Sequence, residues 1–209
     1  MRTKVLSTRR VAPALLALAA LLSVWFILAV PSAQAATVRL DGVRTTLTTD
    51  PDTTTALFTA GIIPLPVAPS WVRPTADAAK YGFPVTGGRV DAKTLVGSIY
   101  HSGGLLLAER TAMNGWNALS LTKFTIRISA NPGLSAIVNG GDRVRIADLD
   151  LSEAKIDRYK KMGRTYVRVA NVGVTLNATA MGAINDTFGV SLPDEVKLGT
   201  ATVLARVAR

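Results

Sequence analysis

Residues Phe83–Leu107 read FPVTGGRVDAKTLVGSIYHSGGLLL, and this stretch decides how we expect the chain to fold. Two runs of strand-forming residues flank Asp91–Gly97, which is rich in turn formers. In the second run, every second position belongs to one face of a strand, and that face carries Ile99, His101, Gly103, Leu105 and Leu107. The pattern predicts two paired strands with one buried face.

Two glycine pairs interrupt this stretch, at Gly87-Gly88 and at Gly103-Gly104. Glycine inside a strand pattern is typical of a bulge, a sharp bend or the close approach of another backbone. We therefore expect both strands to curl. The same stretch holds His101, which is the one histidine of the chain.

The first 35 residues have the three-part layout of a secretory signal peptide. Four basic residues and no acid occupy the first ten positions, Val11–Val30 is uncharged, and Ala33-Gln34-Ala35 follows as a small-x-small site. The pattern predicts cleavage after Ala35 and a secreted or cell-envelope location. An alternative is an uncleaved anchor, because 20 residues are long enough to span a bilayer.

Residues 36–209 predict a single β-rich domain. They contain no cysteine, so this fold relies on its core and not on disulfides. They hold 20 of the 24 basic residues and all 14 acidic ones, which gives a net charge of +6. The expected partner is an unknown envelope component or a small ligand, with no nucleic acid and with membrane contact only through the signal segment before cleavage.

Strand and helix signals alternate along the rest of the chain. A helix is predicted from the Asp50-Pro51 pair to Gly61, with Ala56, Leu57 and Ala60 facing inward, and another from the cap Asn177 to Gly189. Proline-rich Ile62–Pro74 predicts an edge strand or an extended arm, pinned by Trp71. The other predicted strands are Thr37–Thr49, Trp116–Ser129, Leu134–Val138, Arg143–Leu151, Lys155–Lys161, Arg164–Leu176 and Thr200–Val207.

These elements predict a mainly β fold, a β-sandwich or flattened barrel of about nine or ten strands with two short helices. A weak internal pseudo-symmetry is visible, because a strand ending at Leu47 and one ending at Leu176 are each followed by a helix and a glycine. The predicted core is Phe83, Val85, Ile99, Leu105, Phe124, Ile126, Ile137, Val144, Ile146, Val167, Met181, Ile184 and Val203.

A succession of motifs runs through residues 36–209: TTLTTD…LFTAGI, FPVTGGRVDAKTLVGSIYHSGGL, LTKFTI, LSAIVNG, VGVTLNATAMGAIN and LGTATV. In these motifs the chain resembles a family of small exported actinobacterial proteins, and distantly the HtaA-type haem-uptake domain. The resemblance implies a β-sandwich-like binding module in the envelope, with haem as its candidate cofactor. The haem domains are similar in using a tyrosine ligand that a histidine supports.

If haem binds, the resemblance implies an axial tyrosine, and a haem site also takes cations for the propionates. Tyr100 or Tyr81 is the candidate ligand, His101 the candidate support, and Arg89 or Arg110 the candidate propionate partner. Tyr100 and His101 point to opposite faces of a regular strand. The alternative for His101 is a structural role, hydrogen-bonded on the inner face.

Other chemistry has weaker signals. No catalytic residue and no metal site are predicted, because no cysteine, no G-x-S-x-G motif and no cluster of imidazole ligands occurs. Asp148, Asp150 and Glu153 are candidates for a hard cation, but a solvated face pairing with basic residues is favoured. The partners expected for that face are Lys155, Arg158 or Lys160.

A run of basic residues lies between Lys155 and Arg168, together with Tyr159 and Tyr166. The favoured interpretation is a solvated face that protects a sheet edge, and the alternative is a surface for anionic envelope material. The leading functional hypothesis is a non-enzymatic exported module that binds a ligand or envelope component. The alternatives are an HtaA-type haem-binding protein and a cell-wall hydrolase that uses scattered carboxylates.

Overall fold

The computed structural model describes residues 36–112 and 115–209. The predicted signal peptide and the alternative anchor lie outside the described residues, so both stay predictions. Residues from Ala36 onward belong to one compact unit. No helix within the described part of the chain is long and apolar enough to cross a membrane.

The described residues form twelve strands and two helices. In chain order they are β1 (Thr37–Thr49), α1 (Pro51–Thr59), β2 (Ile62–Val67), β3 (Trp71–Pro74), β4 (Ala79–Asp91), β5 (Gly97–His101), β6 (Gly104–Arg110), β7 (Trp116–Ile128), β8 (Gly133–Val138), β9 (Arg143–Asp150), β10 (Lys155–Lys161), β11 (Arg164–Leu176), α2 (Ala178–Phe188) and β12 (Val196–Val207).

Eight of these strands close into a barrel in the order β7–β5–β4–β1–β12–β11–β9–β8, and the pairing of β8 with β7 completes the circle. Every pairing is antiparallel. The other four strands extend the sheet outward: β6 pairs with β7, β2 with β6, β3 with β4, and β10 with β11. The prediction of a mainly β, barrel-like fold is confirmed.

The strands number twelve because two predicted runs are each divided. Ile62–Pro74 becomes the edge strands β2 and β3, and the run that begins at Gly97 is interrupted between His101 and Gly104. Gly103 has a φ of +74°, which is strained for residues with a side chain. A methyl group on Gly104 would collide with the carbonyl oxygen of Leu121 on β7. The second glycine pair therefore lets β5 and β6 bend while both stay paired with β7.

A bulge in β7 explains why its buried residues change parity. Leu119 and Leu121 are buried before the bulge, and Phe124 and Ile126 after it. Lys123 lies at the bulge with a φ of +50°, and the register with β8 shifts between Thr122 and Thr125. The sequence predicts this bulge near Thr122-Lys123, because Leu119 and Leu121 alternate with one parity and Phe124, Ile126 and Ile128 with the other. The register shift confirms the prediction.

Both helices lie at the same end of the barrel. Strands β1 and β11 flank β12 and are antiparallel to it, so they run in the same direction, and each is followed by a helix. Asp50 caps α1 by accepting from the backbone N–H of Asp52 at 3.1 Å. Asn177 caps α2 by accepting from Ala180 N–H at 3.1 Å, and Gly189 ends it with a φ of +65°. The predicted strand–helix repeat is present in the fold.

Three sequence predictions about the packing were wrong in detail. Ala56 and Leu57 face the barrel interior as predicted, but Ala56 stays exposed there. The buried residue of α1 is Thr53, whose hydroxyl donates to the Lys197 carbonyl at 2.6 Å. Ile137 and Val144 are only half-buried, whereas the other predicted core residues are buried. The last strand begins at Val196 and not at Thr200, because Val196 and Lys197 already pair with Leu176 and Thr175 of β11.

Candidate functional site

A cavity of about 450 Å³ occupies the interior of the barrel. All eight barrel strands contribute side chains to its wall, and α1 and α2 contribute the side chains at their end of the barrel. A volume of several hundred Å³ is typical of pockets for small-molecule ligands. The cavity is therefore the candidate binding site.

The cavity wall is mainly aliphatic and aromatic. Its polar side chains are few: Thr45, Thr49, Asp52, Thr53, Tyr81, His101 and Thr179. Among the described residues that line it, none is a lysine or an arginine. Because an ionised carboxylate is costly to bury without a cation or several donors, the cavity suits an uncharged apolar group.

His101 is fixed from two sides in this wall. Its side chain is buried, its Nδ1 lies 3.2 Å from the carbonyl oxygen of Phe124, and its Nε2 lies 2.7 Å from Thr45 Oγ1. A carbonyl oxygen only accepts, so Nδ1 carries the hydrogen and Nε2 of the neutral ring accepts from the Thr45 hydroxyl. Burial lowers the pKa of His101 from 6.5 to about 4, although the bond to Phe124 acts in the opposite direction. The imidazole is therefore neutral at pH 7.

Tyr81 is the second polar aromatic residue of the cavity wall. It is 4% exposed, and its hydroxyl donates to the carbonyl oxygen of Pro64 at 3.1 Å. Burial raises the pKa of Tyr81, so its phenol keeps its proton at neutral pH. The hydroxyl anchors the edge strand β2 to β4.

The structure does not bring the five sequence-predicted haem residues together. Tyr81 and His101 line the cavity, whereas Tyr100, Arg89 and Arg110 are outside its wall. Tyr100 is 50% exposed and faces away from His101, as strand alternation predicts. Arg89 is exposed on β4, where its partner is Ser98, and Arg110 is exposed at the end of β6.

The acidic residues near the end of β9 are engaged with local partners. Asp148 accepts from Arg145 Nε at 2.9 Å, and Asp150 accepts from the backbone N–H of Ser152 at 2.9 Å. No group of three potential ligands occurs in the described ranges. The expected partners of this face were wrong, because Arg145, three residues before Asp148, takes the role proposed for residues of β10.

The described cavity wall contains one carboxylate, that of Asp52. Hydrolysis of a glycosidic bond by the usual mechanism takes two carboxyl groups on either side of that bond. The interior cavity does not assemble such a pair. The hydrolase hypothesis therefore has no support from this site.

Sequence reasoning missed the two groups that hold His101. Thr45 lies 56 residues before it, and the other partner is a backbone oxygen on β7. Neither has a local sequence signal, because the contact depends on which strands become neighbours in the barrel. The threonine-rich alternation of β1 shows only that Thr45 shares a face with Leu47 and Thr49.

Two solved structures from Corynebacterium glutamicum are similar to this fold. One is the C-terminal domain of HtaA, with a TM-score of 0.52 and 13% sequence identity over 81% of this chain and 99% of that chain. The other is the haem-binding protein HtaB, with a TM-score of 0.48 and 13% identity over 82% of this chain and 96% of that chain. The second likeness is too low to carry an argument.

No protein-family model and no curated relative matches the sequence. At 13% identity, the likeness to the HtaA domain shows the fold alone. The distant resemblance to the HtaA-type domain that the sequence motifs indicate is thereby confirmed at the level of the fold.

Proposed function

We propose that this protein is an exported, non-enzymatic binding module that holds a small apolar ligand inside its barrel. The observation that carries the proposal is the cavity of about 450 Å³. Its apolar wall provides burial for a hydrophobic ligand, and each CH₂ group transferred from water contributes about 0.8 kcal/mol. The Tyr81 hydroxyl and the His101 imidazole are polar groups of the wall that orient the ligand.

The ligand class follows from the charges around the cavity. Asp52 is the one charged side chain that contributes to the described wall. Asp52 is exposed at the α1 end of the cavity, and no lysine or arginine contributes to the described wall, so a carboxylate buried there would have no compensating cation, whereas a neutral ligand has no such cost. The proposed ligand is therefore uncharged in the part that enters the barrel.

Titration with N-phenyl-1-naphthylamine, a neutral apolar fluorophore, tests this proposal. Residues 36–209 form a barrel that closes on itself around its own core, so this fragment is the material to use. We expect saturable fluorescence enhancement with one site per chain and weaker binding of an anionic analogue, 8-anilino-1-naphthalenesulfonate. Absence of saturation, or preference for the anion, contradicts the proposal.

Haem is the second candidate ligand. The fold is that of the HtaA-type domain, and the cavity wall places Tyr81 and His101, two residue types that bind or support haem iron, in the same interior. The absence of lysine and arginine from the described wall disfavours burial of the propionates there. Tyr81 would also have to release its bond to Pro64 in order to bind iron.

Titration with hemin separates this candidate from the neutral ligand. If haem binds in the cavity, a saturable Soret shift appears and is lost in Tyr81→Phe, which removes only the hydroxyl. Tyr100→Phe is the matched control, because Tyr100 is on the outer face. A flat titration leaves the neutral apolar ligand as the proposal.

A further inference from the structure

Nearly all of the net charge of residues 36–209 is concentrated in one hairpin. Residues 155–168, which we call the cationic hairpin, contain six basic residues and one acid, a net charge of +5 out of the +6 for residues 36–209. The hairpin consists of β10, the Met162-Gly163 turn and the start of β11. The rest of the domain is therefore close to neutral.

The cationic hairpin also exposes apolar side chains. Met162, at its tip, is 91% exposed, and Ile156 and Tyr159 are 48% and 41% exposed. Tyr159 stacks on its cross-strand partner Tyr166, with ring centroids 5.4 Å apart. The stacked pair forms an aromatic platform between basic residues.

The geometry keeps this surface available. All seven residues of β10 are exposed, and β10 pairs only with β11 among the described strands. Arg158 is held by the carbonyl oxygens of Ala92 and Lys93, at 2.9 and 3.4 Å, which fixes the hairpin against the loop after β4. Arg168 pairs with Asp157 at 3.1 Å, so the one acid of the hairpin is neutralised within it.

We propose that the cationic hairpin docks the protein on an anionic phospholipid bilayer. Clusters of four to eight lysine and arginine residues bind anionic lipid head groups, each contributing additively. Tyrosine is favoured at the level of the head groups, and the exposed Met162 enters the acyl boundary. This proposal differs from the sequence prediction, in which only the signal segment contacts a membrane.

The apolar tip favours a bilayer over a soluble polyanion. Lysine residues that protect a sheet edge from pairing with another chain would explain the charge on β10. That role does not explain why Met162, which is 91% exposed, lies among the basic residues. A soluble polyphosphate or nucleic acid would bind the basic side chains, but contact with Met162 would add no binding energy. A lipid surface uses both.

Vesicle co-sedimentation of the 36–209 fragment tests the proposal. We expect binding to vesicles of phosphatidylcholine with 30% phosphatidylglycerol, weak binding to pure phosphatidylcholine, and weaker binding in 0.5 M NaCl. Lys160→Glu with Lys161→Glu should lower partitioning at least tenfold, as an order of magnitude from the additive contribution of each charge. Lys80→Glu with Arg127→Glu is the matched control, because both residues are exposed on other strands.

Met162→Ser separates the bilayer from a soluble polyanion. We expect it to lower vesicle binding roughly three- to tenfold, because an apolar contact is lost, and to leave binding to inorganic polyphosphate unchanged. Equal loss in the two charge-reversal pairs overturns the proposal. Binding to polyphosphate without binding to vesicles overturns it too, and assigns the hairpin to a soluble polyanion.

Discussion

Thr45 Oγ1 and His101 Nε2 are 2.7 Å apart inside the barrel, although 56 residues separate them in sequence. The contact spans β4, which lies between β1 and β5 in the sheet. It joins two barrel strands that are not direct neighbours and satisfies a buried imidazole nitrogen. Among the described residues, no buried side-chain nitrogen or oxygen lacks a hydrogen-bond partner.

Replacing Thr45 by valine should destabilise the fold by about 1–3 kcal/mol. The variant keeps the shape of the side chain but removes the donor, so Nε2 of His101 stays buried without a partner. Thr46→Val is the matched control, because Thr46 is half-buried on the other face of β1. Urea unfolding at pH 7 measures both, and equal stability of the two variants would contradict the role of Thr45.

The low pKa of His101 predicts a specific pH dependence. The pKa of His101 is about 4 in the folded protein, against 6.5 for an unperturbed histidine in the unfolded chain. Between pH 4 and pH 6.5 the unfolded chain therefore binds more protons than the folded protein does. Stability therefore falls as the pH decreases from 6.5 to 4, by about 3 kcal/mol in total. Hydrogen bonds from the backbone N–H groups of Thr94 and Ser152 lower the pKa values of Asp91 and Asp150 below 3.8. The stability that these two carboxylates contribute is therefore lost only at still lower pH.

Urea unfolding at pH 7, 5.5 and 4.5 checks this dependence. His101→Gln, which has no titrating group, should be less stable at pH 7 but should lose less stability on acidification than the wild type. Parallel curves for the two proteins would show that His101 is not the titrating group.

Gly104 should not tolerate a side chain. A methyl group there would collide with the carbonyl oxygen of Leu121, which is backbone and has little room to move. We expect Gly104→Ala to cost more than about 2 kcal/mol in unfolding free energy. The control is Gly182→Ala in α2, where the added methyl group would meet no atom within 4 Å beyond its chain neighbours and the backbone of its own helix, and where alanine favours the helix by up to about 1 kcal/mol. A neutral Gly104→Ala would refute the close contact of β6 with β7.

The export proposal predicts a processed amino terminus. Because Ala33-Gln34-Ala35 is a small-x-small site, mass spectrometry of the protein from its native source should find a chain that begins at or near Ala36. Replacing Ala35 by a bulky residue should impair processing. An intact amino terminus in the membrane fraction would establish the anchor instead.

The sequence predicts the parts of this fold that depend on neighbours along the chain. Asp50 and Asn177 identify the helix starts, Lys123 lies at the predicted bulge, and the glycine pair at Gly103 marks the predicted bend. These features follow from capping, strand periodicity and backbone freedom, which are local. They are enough to define a mainly β domain.

The candidate site depends on contacts between distant segments. The cavity exists because eight strands close around it, and Thr45 meets His101 only after that closure. The sequence offers Tyr100 or Tyr81 as the candidate haem ligand, but the strand periodicity that turns His101 inward turns Tyr100 outward. Without the strand order, the sequence identified Tyr81 and His101 individually and could not place them in one cavity.

The central claim is that the interior of the barrel is the ligand site, and a cavity-filling variant tests it most directly. Ala201 lines the cavity and is 5% exposed, so Ala201→Phe places a ring inside it. Ala118→Phe makes the same change at an exposed position of β7. Titration of both folded variants with N-phenyl-1-naphthylamine should show wild-type affinity for Ala118→Phe and roughly tenfold or more weaker binding for Ala201→Phe, because the ring occupies space that the ligand needs and each displaced CH₂ group is worth about 0.8 kcal/mol. Equal affinity in the two variants would contradict binding inside the barrel.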